Sequence, residues 1–353
     1  MSASLSVLAQ ISALVKIDTD SLDPGVAQRL GPFEDMTSNQ AIAYQQAIQP
    51  ENERLIREAV KEVQEVHANS GEGPDVYLRE LLDVVSVKLA YLVSPHLKGK
   101  ILVQTSPAFA YDTEKTIAHA RRLVALFDAH AIPSSRVCVK IPSTAEGLLA
   151  CKVLESSEPR IRTLGTILFS VEQARAAAQA GCTNISPYFH ELRVHIDKKF
   201  QVPAAEKPTL DIIADIIAAL KGTKTHVKPA GFITVPEAIS LARLRPDNLT
   251  ISAKLLQELA TLPAVPETDL AEIKSQIGPR TSDVDYLANG GAHLKEAFIN
   301  DPEISRRVVD AVEIFGGFER QVLEFLRSGE VGKEWDGKSG WLPFDQRASP
   351  SSA

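Results

Sequence analysis

Short apolar runs rich in β-branched residues alternate along this chain with longer amphipathic, alanine-rich stretches. The runs fall at residues 13–19, 35–39, 100–106, 137–142, 162–168, 183–188, 226–232 and 248–252. Runs of this length, bounded by Gly, Pro and polar turn residues, predict buried strands. The stretches between them repeat apolar residues at helical spacing and predict helices. Ser143-x-x-Glu146 reads as a capping box opening one helix; Ser170-x-x-Gln173 opens another through residues 174–180, and Gly181 closes it. Eight strands separated by helices imply a parallel sheet, and that number favours a closed (β/α)8 TIM barrel over an open α/β sheet. No Gly-x-Gly-x-x-Gly fingerprint follows a strand, which disfavours a dinucleotide-binding domain.

Past the eighth run, residues 301–326 predict a long helix with Ile304, Val308, Val312 and Phe315 on one face. The expected plan is therefore a barrel over 1–262, a helical C-terminal extension packed on it over 263–330, and a partly disordered tail over 331–353. Trp335 and Trp341 fall in that tail and are expected to act as surface anchors or dimer contacts.

Composition changes this picture little. The chain has 353 residues, 44% hydrophobic and 24% charged, with a formal net charge of −7. The acidic balance argues against nucleic acid or an anionic membrane as the main partner. No stretch reaches the length of a membrane span; the most apolar helix, 210–220, is broken by Asp211 and Asp215. Cys138, Cys151 and Cys182 show neither metal spacing nor a disulfide framework, so a reducing, cytoplasmic setting is expected.

Candidate chemistry follows from the strand ends, where a (β/α)8 barrel carries its site. The first run ends in Asp18-Thr19-Asp20, the second in Thr37-Ser38-Asn39, and the third carries Gln104; Lys140, Thr166, Ser186 and Tyr188 stand on the next three. A lysine inside an apolar strand either snorkels to solvent or loses its proton more readily through burial, and a neutral amine attacks carbonyls to form a Schiff base. Lys140 is the candidate nucleophile, with Asp18 as proton shuttle and Gln104, Thr166 and Tyr188 around a relaying water. Metal-dependent aldol chemistry needs clustered His or carboxylate ligands. The eight histidines are scattered, with His190 and His195 the only close pair, so no metal is expected.

These segments resemble the transaldolase family in order and spacing. The resemblance rests on Asp18-Thr19-Asp20, Thr37-Ser38-Asn39-Gln40, Lys140-Ile-Pro-Ser-Thr-Ala-Glu-Gly147, Thr166-Ile-Leu-Phe-Ser170 and Ala180-Gly-Cys-Thr-Asn-Ile-Ser-Pro-Tyr188, and runs from the first strand to about residue 260. It implies a Schiff-base barrel enzyme that transfers a dihydroxyacetone unit between sugars or sugar phosphates without a cofactor. Lys140 would be the Schiff-base lysine and Asp18 the acid/base. Asn39, Thr166 and Ser186 would be substrate and water ligands. A homodimer or monomer is expected rather than a larger ring.

The departures from the family pattern narrow this expectation. Gln104 stands where the family carries glutamate and Tyr188 where it carries phenylalanine; both resemble the fructose-6-phosphate aldolase branch, which releases free dihydroxyacetone. The family's phosphate arginines correspond to Glu191 and Ile233, leaving Arg193, or a lysine such as Lys228, as the cation for a phosphate. Three readings stay open: a transferase, an aldolase acting on an acceptor without phosphate, and a catalytically weakened relative with a binding role.

Overall fold

The computed structural model describes residues 6–67, 73–195, 198–200, 209–273 and 283–328. Parallel strands β1 (Lys16–Asp20), β2 (Met36–Thr37), β3 (Ile101–Gln104), β4 (Val137–Pro142), β5 (Thr163–Leu168), β6 (Asn184–Pro187), β7 (His226–Val227) and β8 (Asn248–Ser252) form one sheet. They pair in chain order from β1 to β7, and β8 pairs with β1. The remaining gap is bridged by Asp247 N–H to Val227 O (3.2 Å) and Thr250 N–H to Pro229 O (3.0 Å). The molecule is a (β/α)8 barrel with further helices at its C-terminal end, as the alternating pattern predicts. Every residue of β4 and β5 is buried, because helices cover their outer faces and Leu102, Cys138 and Leu164 fill the interior between them.

The element bounds differ from the sequence expectation for physical reasons. Residues 13–15 finish the first helix, Val7–Ser12, where Leu14 and Val15 N–H both return to Ile11 O. β7 has only two ladder residues because Pro229 offers no N–H; beyond it Ala230 makes an isolated bridge with Tyr188. The helix Ala145–Glu155 is capped by Thr144, whose hydroxyl accepts the Gly147 N–H at 2.9 Å, rather than by Ser143. Ser143 is instead buried against Gly165, and Glu146 pairs with Lys295 at 2.8 Å. The helix Val171–Gln179 is capped by Ser170 as expected.

The long C-terminal helix spans Pro302–Ser328. Its Ile304, Val308, Ala311 and Phe315 pack on Ile167, Phe169, Tyr188 and Ala230 at the C-terminal ends of the strands. Ala311 takes the buried place expected for Val312, which is half-buried. Trp335 and Trp341 lie outside the described residues. Among the described residues no helix is long and apolar enough to cross a membrane.

Candidate active site

Period-two alternation along β4 turns Cys138 and Lys140 into the barrel, with Lys140 the nearer to its C-terminal mouth. Lys140 pairs in register with Gln104 on β3 and is 5% exposed. It has no ion-pair partner among the described residues. Burial therefore pushes its ammonium below the ordinary lysine value, and the charge that opposes this shift is Asp20. The Cys138 thiol beneath it is pushed up to about 12 by burial and stays a neutral packing group.

Around Lys140 stand neutral hydrogen-bonding groups. Thr166 Oγ1 and the Tyr188 hydroxyl share a hydrogen bond of 2.9 Å. Burial raises the Tyr188 phenol above its ordinary value, so it remains a protonated donor. Ser186 is buried two residues before it on β6. Both polar atoms of the Gln104 side chain are buried without a protein partner. A cavity of about 20 Å³ lined by Asn39, Gln104, His119 and Glu319 adjoins it, which is room for one water. Asn39 caps the helix Gln40–Ala47, its Oδ1 accepting the Ile42 N–H at 3.1 Å.

A second buried lysine has the opposite environment. Lys228 is 2% exposed and bonds Asp18 Oδ2 at 3.0 Å and Asp35 Oδ2. Burial works against its charge, but the two carboxylates outweigh burial and hold the ammonium above the usual range. Asp18, fully buried, also accepts Asn248 Nδ2 at 2.6 Å and the Asp35 N–H at 3.1 Å. Burial pushes the Asp18 carboxyl above its ordinary value, while Lys228 pulls it down and Asp35 adds to the rise.

A family model described as transaldolase/fructose-6-phosphate aldolase matches residues 16–297. The chain belongs to that family. Curated relatives named transaldolase include one from Prochlorococcus marinus (strain MIT 9211), 30% identical over 94% of this chain and 97% of its own. Another, from Glaesserella parasuis serovar 5, is 33% identical over 78% of this chain and 86% of its own. One from Yersinia pseudotuberculosis serotype O:3 is 29% identical over 92% of this chain and all of its own length. The protein is accordingly an enzyme of the transaldolase/aldolase class.

Of the residues singled out in the sequence, Lys140, Gln104, Thr166, Ser186 and Tyr188 gather at the strand ends, with Asn39 at the edge. Asp18 is drawn one layer deeper into its cluster with Lys228 and Asp35. Arg193, on the turn Leu192–His195, bonds Asp310 of the C-terminal helix at 2.7 Å. Neighbouring Arg306 likewise holds Glu191 at 2.9 Å. Lys228, an alternative phosphate cation on sequence grounds, is committed to the buried carboxylates. The sequence named Asp20 and Lys228, but it did not reveal that the Asp20 charge acts on Lys140 or that Lys228 is clasped by two carboxylates. The signal for Asp20 was available: it lies two residues from Asp18 and so faces the same side of β1.

Proposed function

We propose that Lys140 forms an imine with a ketose or ketose phosphate, and that the enzyme passes the resulting dihydroxyacetone unit to an aldehyde, without metal or cofactor. The observation that carries this reading is the contrast between two buried lysines. Lys140 has no ion pair among the described residues and a lowered ammonium pKa, whereas Lys228 is held protonated by two carboxylates. An amine attacks a carbonyl only in its neutral form, so Lys140 is suited to the reaction and Lys228 is not. The imine withdraws electrons from the adjacent C–C bond, and Thr166, Tyr188 and Gln104 hold the water that forms and hydrolyses the carbinolamine. Asn39 and Ser186 are suited to binding the substrate's hydroxyls.

A second reading, release of free dihydroxyacetone on an acceptor without phosphate, is favoured by specific observations. Gln104 puts a neutral amide where a carboxylate would act as a base beside the water. The guanidinium groups of Arg193 and Arg306 are occupied by Asp310 and Glu191.

Borohydride reduction in the presence of dihydroxyacetone or fructose 6-phosphate, with mass mapping of the adduct, tests the common step. The adduct is expected on Lys140 and absent in Lys140→Met. No adduct on Lys140 with any ketose overturns the proposal and leaves a binding role. Incubation with fructose 6-phosphate alone then separates the two readings, since only an aldolase accumulates free dihydroxyacetone without an acceptor.

A further inference from the structure

The helix Pro302–Ser328 buries one face, and a single residue interrupts the apolar run along it. Its buried positions recur every three or four residues from Ile304 to Leu326, and Glu319 is the one charged member among them. A glutamate is seldom buried unless it is paired or has a task. The Glu319 Oε2 accepts the Ser106 hydroxyl at 3.0 Å, and among the described residues no protein donor takes its Oε1. Across from it, Gln104 Nε2 and Oε1 and Gln40 Oε1 are buried without a protein partner. Gln40, Gln104 and Glu319 all line the cavity of about 20 Å³ at the ends of β2 and β3. A water in that space has a donor in Gln104 Nε2 and acceptors in Gln40 Oε1 and the Glu319 carboxylate. Gln104 stands in register with Lys140, so this water lies on the β3 side of the amine. An amide holds a water but takes no proton from it, and the Tyr188 phenol on the other side stays protonated. Burial and Asp83 raise the Glu319 carboxyl above its ordinary value, while Ser106, Arg79 and His119 pull it down. A carboxyl raised in this way returns a proton more readily than an exposed one.

We propose that Glu319, reaching in from the C-terminal helix, is the proton acceptor and donor for the water that hydrolyses and forms the Lys140 imine. This rests on Lys140 being the imine-forming lysine. In hydrolysis the water oxygen bonds to the iminium carbon, its proton passes to the Glu319 carboxylate, and the C=N π pair moves onto the Lys140 nitrogen. The Glu319 carboxylic acid then gives that proton to the nitrogen of the carbinolamine. As the C–N bond breaks, the amine leaves with its electron pair and the hydroxyl oxygen's electrons form the ketone C=O. The hydroxyl proton returns to the Glu319 carboxylate. Imine formation runs the same steps in reverse. No oxidant, reductant or metal enters the balance.

The test follows the water oxygen. Each round of imine formation and hydrolysis places a solvent oxygen on the ketose carbonyl. Entry of ¹⁸O from labelled water into fructose 6-phosphate or dihydroxyacetone, above the rate without protein, therefore reads the step without any C–C cleavage. Glu319→Gln keeps the shape of the side chain and an acceptor for Ser106, and is expected to slow this exchange by about 10²–10⁴-fold. The double variant Gln104→Glu/Glu319→Gln moves the carboxylate across the same cavity. Measured on the pH plateau of each protein, it is expected to regain about tenfold or more of the lost exchange, a rescue that a packing role for Glu319 does not give. Should Glu319→Gln not fold, Glu319→Asp keeps the charge on a shorter arm and its exchange is expected to fall; unchanged exchange there overturns the assignment. So does a folded Glu319→Gln that exchanges at the unmodified rate, or a folded double variant that regains nothing. Absence of any borohydride-trapped adduct on Lys140 in the unmodified protein overturns the imine reading itself.

Discussion

Lys140 and Lys228 show how a barrel interior assigns different chemistry to the same side chain. Both are almost completely buried, so both lose hydration that an ammonium ion needs. Two carboxylates compensate Lys228, whereas Lys140 meets amides, hydroxyls and the more distant Asp20. The environment of Lys140 is therefore sensitive to any charge added across from it. Gln104 sits directly opposite in register, and Gln104→Glu is expected to raise the Lys140 pKa. The sign is fixed by the charge: a carboxylate stabilises the ammonium, so the neutral amine appears at higher pH. The acid limb of dihydroxyacetone trapping should move up. The same variant places a base beside the relaying water and should reduce the share of fructose 6-phosphate released as free dihydroxyacetone. An unmoved limb, read from trapping rates across pH, would remove Gln104 from the surroundings of the amine.

At the scale of elements, the end of β5 is shaped by a strained turn that the following helix holds. Ile167 adopts φ +56°, a conformation a β-branched residue strongly disfavours, and the ladder to β6 shifts register there. Gln173, on the first turn of Val171–Gln179, holds the turn from within. Its Oε1 accepts the Phe169 N–H at 2.8 Å, and its Nε2 donates to Ser143 O and Ile167 O, both at 3.0 Å. The strand end thus sends Thr166 toward Tyr188 instead of continuing flat. Gln173→Leu fills the same space but leaves these backbone groups unpaired, at about 1–3 kcal/mol each. A marked fall in the urea midpoint is expected, together with slower trapping on Lys140; an unchanged midpoint would show that the turn holds itself. Strands β3, β4 and β5 were legible because they are largely apolar and flanked by turn residues, and Lys140 was legible as a cation inside such a run. The Gln173 clasp was not, since Ser170-x-x-Gln173 reads equally well as an ordinary capping box until the side chain is seen to turn inward. Nor was the Asp18–Lys228 pair, whose members lie 210 residues apart and meet only across the closed barrel.

For the whole molecule, the question is what fastens the Pro302–Ser328 helix over the strand ends, because Tyr188 packs beneath it. Two kinds of contact compete. One is the charged set of Arg306 with Glu191, Glu303 and Asp310, joined by Arg193 with Asp310. The other is the apolar face of Ile304, Val308, Ala311 and Phe315 against Ile167, Phe169, Tyr188 and Ala230. The Arg306 side chain is 33% exposed, and pairs of that kind contribute about 0–1 kcal/mol after screening and lost side-chain entropy. Phe315 is 2% exposed, and truncating a buried phenylalanine costs about 3–5 kcal/mol through lost transfer energy and the cavity left behind. The apolar face wins by magnitude. Arg306→Gln is therefore expected to leave the denaturant midpoint nearly unchanged, and Phe315→Ala to lower it strongly. Because the Tyr188 ring shares that cluster, Phe315→Ala should also weaken the Thr166–Tyr188 hydrogen bond. It is then expected to slow carbinolamine turnover under conditions where the protein is still folded. Equal effects of the two variants on the midpoint would mean that the ion pairs, not the hydrophobic face, seat the helix over the site.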